Sequence, residues 1–354
     1  MVKFMAEVQA LQRWVAGALT KINGGRQAVA LQPLHGDAGL RRYFRIDTAP
    51  GLLAVMAPPD RAHNQEFVAL ADALQAEGIR TPRIVASAAE HGFMLLEDFG
   101  DRLLADALDA DSATGLYGEA LMTLLRLQQC PRPDLVAAYD EGRLLDEMAL
   151  FRDWFVPRLL GHALVADEQA LLEDVFQLLI DSAAGQPRAL VHRDYHSRNL
   201  IICAGGDLGV IDFQGALWGP FTYDLVSLLK DCYVRWDPDQ VRRWALAYGD
   251  MLIEADIGVM PGDDSVTREQ FLRWFDLMGL QRHIKVLGIF ARLHLRDGKA
   301  GYLNDLPLVI RYVLEAAARY PELAAFGAWF ERRLLPLCAT QPWYRDYRQA
   351  GDLQ

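Results

Sequence analysis

The sequence predicts an α+β protein of two lobes, a small β-rich one over residues 1–98 and a large helical one over 99–354. Three observations predict it. Short apolar runs broken by turn residues crowd the stretch before Gly100. Apolar spacing of 3.6 residues dominates after it. One hairpin-like island, 200–211, interrupts the helices.

Residues 1–19 have amphipathic helical spacing and contain Glu7. They lack the uninterrupted apolar core and small-residue cleavage site of a signal peptide. Val29–Leu31, Tyr43–Ile46 and Leu52–Met56 read as strands, and Pro58-Pro59 closes the third, because proline cannot continue a ladder. His63–Glu77 has Phe67, Leu70 and Leu74 on one stripe, with Gly78 in the position of a C-cap glycine. Ile84–Ala86 and Phe93–Leu96 are two further strands, and Glu97–Gly100 is the expected joint between the lobes. Helical spacing then recurs near 112–129, 141–160, 167–184, 221–233, 238–256, 268–295, 305–319 and 321–335. The island consists of Leu200–Cys203, the turn Ala204-Gly205-Gly206-Asp207 and Leu208–Ile211, a hairpin with a Gly-Gly turn.

Composition narrows the function classes. The 354 residues are 52% hydrophobic and 23% charged, an ordinary globular balance. A net charge of -11 argues against a nucleic-acid binder, which needs clustered cations to neutralise phosphates. No run of 18 apolar residues occurs, so no membrane span is expected. Four scattered cysteines without a CxxC pair read as reduced thiols of a cytoplasmic protein.

The chemistry concentrates around the island. Before it stands His192-Arg193-Asp194-Tyr195-His196-Ser197-Arg198-Asn199, and after it Asp212-Phe213-Gln214-Gly215. The pattern H-x-D-x-x-x-x-N, hairpin, Asp suits phosphoryl transfer. That reaction needs a carboxylate to orient and deprotonate a hydroxyl, and an Asn and an Asp to hold Mg²⁺ against the phosphates. His192 is then a support for the loop. The other reading is that these are polar residues around an ordinary hairpin. The coincidence of so many identities with a hairpin of suitable length, after a β-rich lobe, favours the kinase-like reading.

The loop and the Asp212-Phe213 step resemble the aminoglycoside phosphotransferase branch of the protein-kinase-like fold. Further strings resemble the bacterial anomeric N-acetylmuramate/N-acetylglucosamine kinases of cell-wall recycling: Gly36–Arg45, Met56–Pro59, Leu95–Gly100, Gly279–Gly288 and Arg296–Lys299. The likeness runs from about residue 8 to about 345. It implies transfer from ATP, with Mg²⁺, to an anomeric hydroxyl, giving an α-1-phosphate that a sugar-1-phosphate nucleotidyltransferase consumes. It also implies Asp194 as catalytic base and Asn199 and Asp212 as metal ligands. Gly36 to Gly39 become the turn over the phosphates, Glu97 and Phe99 the adenine contacts, and Asp224 the brace of the catalytic loop.

The sequence departs from the kinase pattern in one place. The third strand, Ala54-Val55-Met56, has no Lys, and none of the chain's five Lys lies between 22 and 229. Glu66 is the expected helix Glu and would lack that partner. Either the protein is a nucleotide-binding pseudokinase, or arginine holds the phosphates. Strand alternation puts Arg41 and Arg45 on one face and Arg42 on the other. Asp194, Asn199 and Asp212 are all kept, which favours an enzyme. For the acceptor, Gln281, Lys285 and Arg292 share a helical stripe. Facing a cleft, that stripe would repel a cationic acceptor and attract a carboxylate such as the lactyl group of N-acetylmuramate. As a surface stripe, it would pair with acids such as Asp276. Another small hydroxylated metabolite is the alternative acceptor.

Overall fold

The structure is a computed structural model that describes all residues except 1, 26–27, 35–39, 48, 50, 60–61, 131–132, 256–265 and 353–354. The chain divides into two compact units, Met1–Leu127 with Arg198–Gln214, and Gln128–Ser197 with Gly215–Gln354. Residues 99–127 and 198–214 pack with the sheet-bearing unit, whereas the sequence reading places them in the large lobe. Glu97–Gly100 accordingly lies inside the first unit, where the Asp98 N–H donates to Gly51 O.

In the first unit, β1 (Leu31–Pro33), β2 (Arg42–Ile46), β3 (Leu52–Met56), β4 (Ile84–Ala88) and β5 (Phe93–Glu97) form one antiparallel sheet in the order β1-β2-β3-β5-β4. Helix α1 (Val2–Asn23) covers one face with Leu11, Val15 and Leu19, each fully buried and four residues apart. They meet Phe44, Ile46, Ala54 and Leu95. The first strand starts at Leu31, later than its apolar run suggests. Helix α2 (Asn64–Ala76) follows β3 and ends at Gly78, whose φ of +75° a glycine adopts without Cβ strain. Helices α3 (Leu104–Ala107) and α4 (Ala113–Gln129) follow β5.

The expected hairpin is present as Leu200–Ile202 against Leu208–Val210. Gly209 has to be glycine here, because a Cβ would stand 2.4 Å from the Phe99 ring.

The second unit is mainly helical: α5 (Glu141–Leu150), α6 (Ala166–Ala184), α7 (Thr222–Leu229), α8 (Pro238–Glu254), α9 (Arg268–Asp297), α10 (Leu306–Arg319), α11 (Ala324–Trp329) and α12 (Leu335–Ala339). Two expected helices are interrupted by π-helical segments, Phe151–Leu159 and Phe330–Leu334. The first contains Pro157, whose missing N–H removes an α-helical bond. Helix α9 is the spine, with twenty buried residues all round it, so it is apolar-packed rather than amphipathic. A two-stranded pair, Arg188–Val191 with Leu217–Pro220, flanks the catalytic loop; sequence reading gave neither strand. All four cysteines are buried and unbridged. No helix among the described residues is long and apolar enough to cross a membrane.

Gly288 of α9 marks the tightest approach in this unit. A Cβ there would lie 2.3 Å from Leu150 C and 2.4 Å from Phe151 N. Backbone cannot swing aside as a side chain can. Gly288→Ala is expected to destabilise the protein by about 1–3 kcal/mol or more, read as a lower urea midpoint with an unchanged slope.

Candidate active site

Asp194 belongs to the second unit, and Asn199 and Asp212 belong to the first. In the second, β-strand Arg188–Val191 delivers the catalytic loop. Asp224, fully buried on α7, accepts hydrogen bonds from the backbone N–H of His192 (2.6 Å) and Arg193 (2.9 Å). Burial pushes the Asp224 carboxyl up to about 7, and the two amides pull against that. The His192 ring is buried, and its Nδ1 accepts from the Asp194 N–H at 3.3 Å. His192 therefore shapes the loop, as expected. Further along, the Ser197 N–H donates to Asp231 at 3.0 Å. Arg193, between these anchors, has φ of +76°, a conformation that costs a non-glycine residue about 1 kcal/mol or more.

What holds Arg193 there is a residue sequence reading missed. Glu147, buried on α5, takes the Arg193 guanidinium on Oε1 and the Tyr139 hydroxyl on Oε2. Lys285 Nζ stands 3.1 Å from Glu147 Oε1 and donates to Tyr223 Oη at 2.8 Å. Gln281 Nε2 reaches Glu147 Oε2 at 3.4 Å. The two stripe residues thus face α5 across the Gly288 contact, and both are buried. Asp276 sits elsewhere, pairing with Lys230 and Arg319. Arg292 lies farther along the stripe, half-buried, its Nε without a hydrogen-bond partner among the described residues. One sequence signal could have found Glu147: an isolated acid on the apolar stripe of Leu144, Met148 and Phe151.

These charges set the state of Asp194. Burial opposes its ionisation, but Lys285, with His196, His192 and Arg193, outweighs burial and holds the carboxyl below its ordinary value. Glu147 is likewise kept ionised, burial being overcome by Lys285 and Arg193. Asp194 is therefore a carboxylate, able to accept a proton from a hydroxyl.

In the first unit, the hairpin sets the other two residues. The Ile211 N–H donates to Asn199 O at 3.1 Å, which extends the hairpin ladder toward both Asn199 and Asp212. Asp212 has φ of +64°, is exposed, and accepts from Gln214 Nε2 at 2.5 Å. An amide oxygen and a carboxylate are hard oxygen donors, the type Mg²⁺ takes while keeping waters and phosphate oxygens as its other ligands. The residues present fit such an ion.

The nucleotide residues behave differently from one another. Gly36 and Gly39 lie outside the described residues. Arg41 and Arg45 share the sheet face away from α1, as alternation predicts, whereas Arg42 turns to Phe4 of α1. Arg45 is held by Asp98 at 2.8 Å and by both oxygens of Asp101 at 2.6 Å. Glu97 binds Arg80 through its side chain, and its N–H donates to Arg83 O. Phe99 packs with Ile201 and Cys203, under the Arg80 guanidinium. Glu66 is exposed and stands 3.4 Å from His63, on a chain with no third-strand Lys to pair with it.

The fold is that of a kinase-like phosphotransferase. It matches aminoglycoside phosphotransferase APH(2'')-Ib at a TM-score of 0.56 over 85% of this chain and 98% of that one, with 14% identity. A choline kinase from Streptococcus pneumoniae matches at 0.57, covering 89% and 99%, with 13% identity. The chain itself belongs to the phosphotransferase enzyme family, whose model matches residues 30–261. It is 42% identical to an N-acetylmuramate/N-acetylglucosamine kinase of Pseudomonas putida over 85% of this chain and 87% of that protein. Namesakes from Pseudomonas aeruginosa and Neisseria meningitidis are 40% and 35% identical, over 91% and 82% of this chain and 95% and 87% of theirs.

Removing Glu147 would leave the buried Lys285 and the half-buried Arg193 without the carboxylate they share. Glu147→Ala is expected to cost about 3–5 kcal/mol of stability, because an uncompensated buried cation is strongly destabilising. Chemical denaturation at neutral pH measures it; Glu147→Gln, which keeps the hydrogen-bond acceptor, should cost less.

Proposed function

We propose that this protein is an ATP-dependent sugar kinase that phosphorylates the anomeric hydroxyl of N-acetylmuramate and N-acetylglucosamine to the α-1-phosphate. The carrying observation is a set of Asp194, Asn199 and Asp212 kept whole in a chain 42% identical, over 85% of its length, to a kinase of that name. Asp194 accepts the anomeric proton. The freed oxygen forms a bond to the γ-phosphorus of ATP as the bond to the bridging oxygen breaks, and ADP leaves. Asn199 and Asp212 would hold Mg²⁺, which would neutralise charge on the phosphates. Most of the acceleration comes from positioning and charge, since phosphoryl transfer asks little covalent chemistry of the protein.

Lys285 acts on this reading through Asp194, as the cation that keeps the base ionised. The acceptor carboxylate, where present, is met by Arg292, whose Nε has no partner among the described residues. The product is chemically suited to a nucleotidyltransferase in the recycling of peptidoglycan sugars, and the reaction belongs in the cytoplasm. A kinase for another small hydroxylated metabolite is the second reading, favoured by the burial of Gln281 and Lys285, which leaves fewer groups for an amino sugar.

Purified protein incubated with ATP, Mg²⁺ and either sugar should give an α-1-phosphate signal in phosphorus NMR. Asp194→Asn should keep ATP binding and lose turnover by about 10²-fold or more; near-normal turnover would sink the assignment. Lys285→Met should shift the acid limb of kcat to higher pH. Losing the cation makes Asp194 easier to protonate, so the base form disappears earlier as pH falls. A pH profile identical to the native one would contradict that role.

A further inference from the structure

A kinase without the third-strand Lys still has to hold the β- and γ-phosphates. The cations of the first unit differ sharply in their availability. Arg45 is committed to Asp98 and Asp101, Arg80 to Glu97, and Arg42 lies on the α1 side of the sheet. Arg41 is placed otherwise. Its Nη2 donates to Ala62 O at 2.6 Å and its guanidinium lies 4.4 Å from the Phe67 ring centre. These two contacts fix its plane, yet its buried Nε has no hydrogen-bond partner among the described residues. Phe67 in turn stacks on Phe213 at 4.8 Å, the residue after Asp212. Arg41 is therefore tied by packing to the chain that carries a metal ligand.

Two residues beyond Ala62, α2 begins with Asn64. That side chain is 4% exposed, and both its amide nitrogen and its oxygen lack a partner among the described residues. An amide buried without hydrogen bonds is destabilising, so Asn64 is suited to a ligand that brings it a partner. The start of a helix of 13 residues also presents its unpaired N–H groups and the positive end of its dipole. Glu66, in the same turn, is exposed and faces His63.

We propose that Arg41 and Asn64, at the start of α2, form a phosphate cradle that holds the β- and γ-phosphates of the nucleotide in place of the absent Lys. The inference rests on the kinase reading above. Arg41 supplies a fixed guanidinium N–H and a full positive charge, Asn64 a neutral N–H, and the helix start a favourable potential. Phosphate oxygens would accept from the unpaired N–H groups of the two side chains.

The test compares ATP with adenosine, which keeps the base and lacks the phosphates, by titration calorimetry on the full-length protein. Arg41→Gln should weaken ATP by about 10- to 100-fold, the loss of charge-assisted hydrogen bonds, and leave adenosine unchanged. Arg41→Lys should recover part of that loss, and Asn64→Ala should weaken ATP by about 10-fold at most. Arg42→Gln, outside the cradle, should match the native protein for both ligands. Thermal melts of each variant accompany the titrations, and Arg41→Lys carries the comparison if Arg41→Gln does not fold. ATP affinity within about twofold of native for Arg41→Gln, or equal losses for ATP and adenosine, would overturn the cradle while leaving the kinase reading standing. Failure of the native protein to bind ATP would overturn the kinase reading and the cradle with it.

Discussion

Glu147, buried on α5, and the half-buried Arg193 form an ion pair on which the catalytic loop depends. Two cations, Arg193 and Lys285, and two carboxylates, Glu147 and Asp194, stand in a region from which water is largely removed. Desolvation of four such groups is expensive, and only close mutual pairing and full hydrogen bonding make it tolerable. The tyrosines answer that demand, Tyr139 on Glu147 and Tyr223 on Lys285. With Asp224 gripping two successive amides from the other side, Arg193 has no alternative to its left-handed backbone. The direction in which Asp194 leaves the strand follows from that constraint.

The metal-binding half has the same construction at smaller scale. Asp212, like Arg193, is a non-glycine residue at positive φ, stored where the chain turns from a strand into the chemistry. The short hairpin makes this affordable by removing freedom on both sides of it. Phe99 lies so close to Gly209 that no side chain fits between them. A left-handed backbone at Arg193, next to Asp194, and at Asp212 itself, each held by its neighbours, fits the pre-organisation that phosphoryl transfer requires.

Much of this was legible in the chain. The hairpin, its turn, the helical stripes and the glycine caps each carry a local signal, and the structure shows them within a few residues of their predicted ends. The π-helical segments were not legible, because their apolar spacing continues that of the helices they interrupt. The strands at 188–191 and 217–220 were hidden because each is four residues long and finds its partners, each other and the bridge from Ala138 to Trp218, far away in sequence. Glu147 was hidden for a similar reason. A lone acid on an apolar stripe has no local partner, and its two cations come from residues 46 and 138 positions away.

The sequence by itself determined the class of chemistry. An Asp, an Asn and a second Asp, spaced around a hairpin, state a reaction type through residue identity, and identity is local information. Tertiary structure alone decided how the remaining charges are used. Alternation put Arg41 and Arg45 on one face, but only packing showed Arg45 bound by two carboxylates and Arg41 with a nitrogen unpaired among the described residues. The Gln281–Arg292 stripe was equally readable as a repeat, yet which neighbour it faces depends on a backbone approach at Gly288. Availability of a charge is a property of its surroundings, and surroundings are assembled from parts of the chain that no local pattern connects.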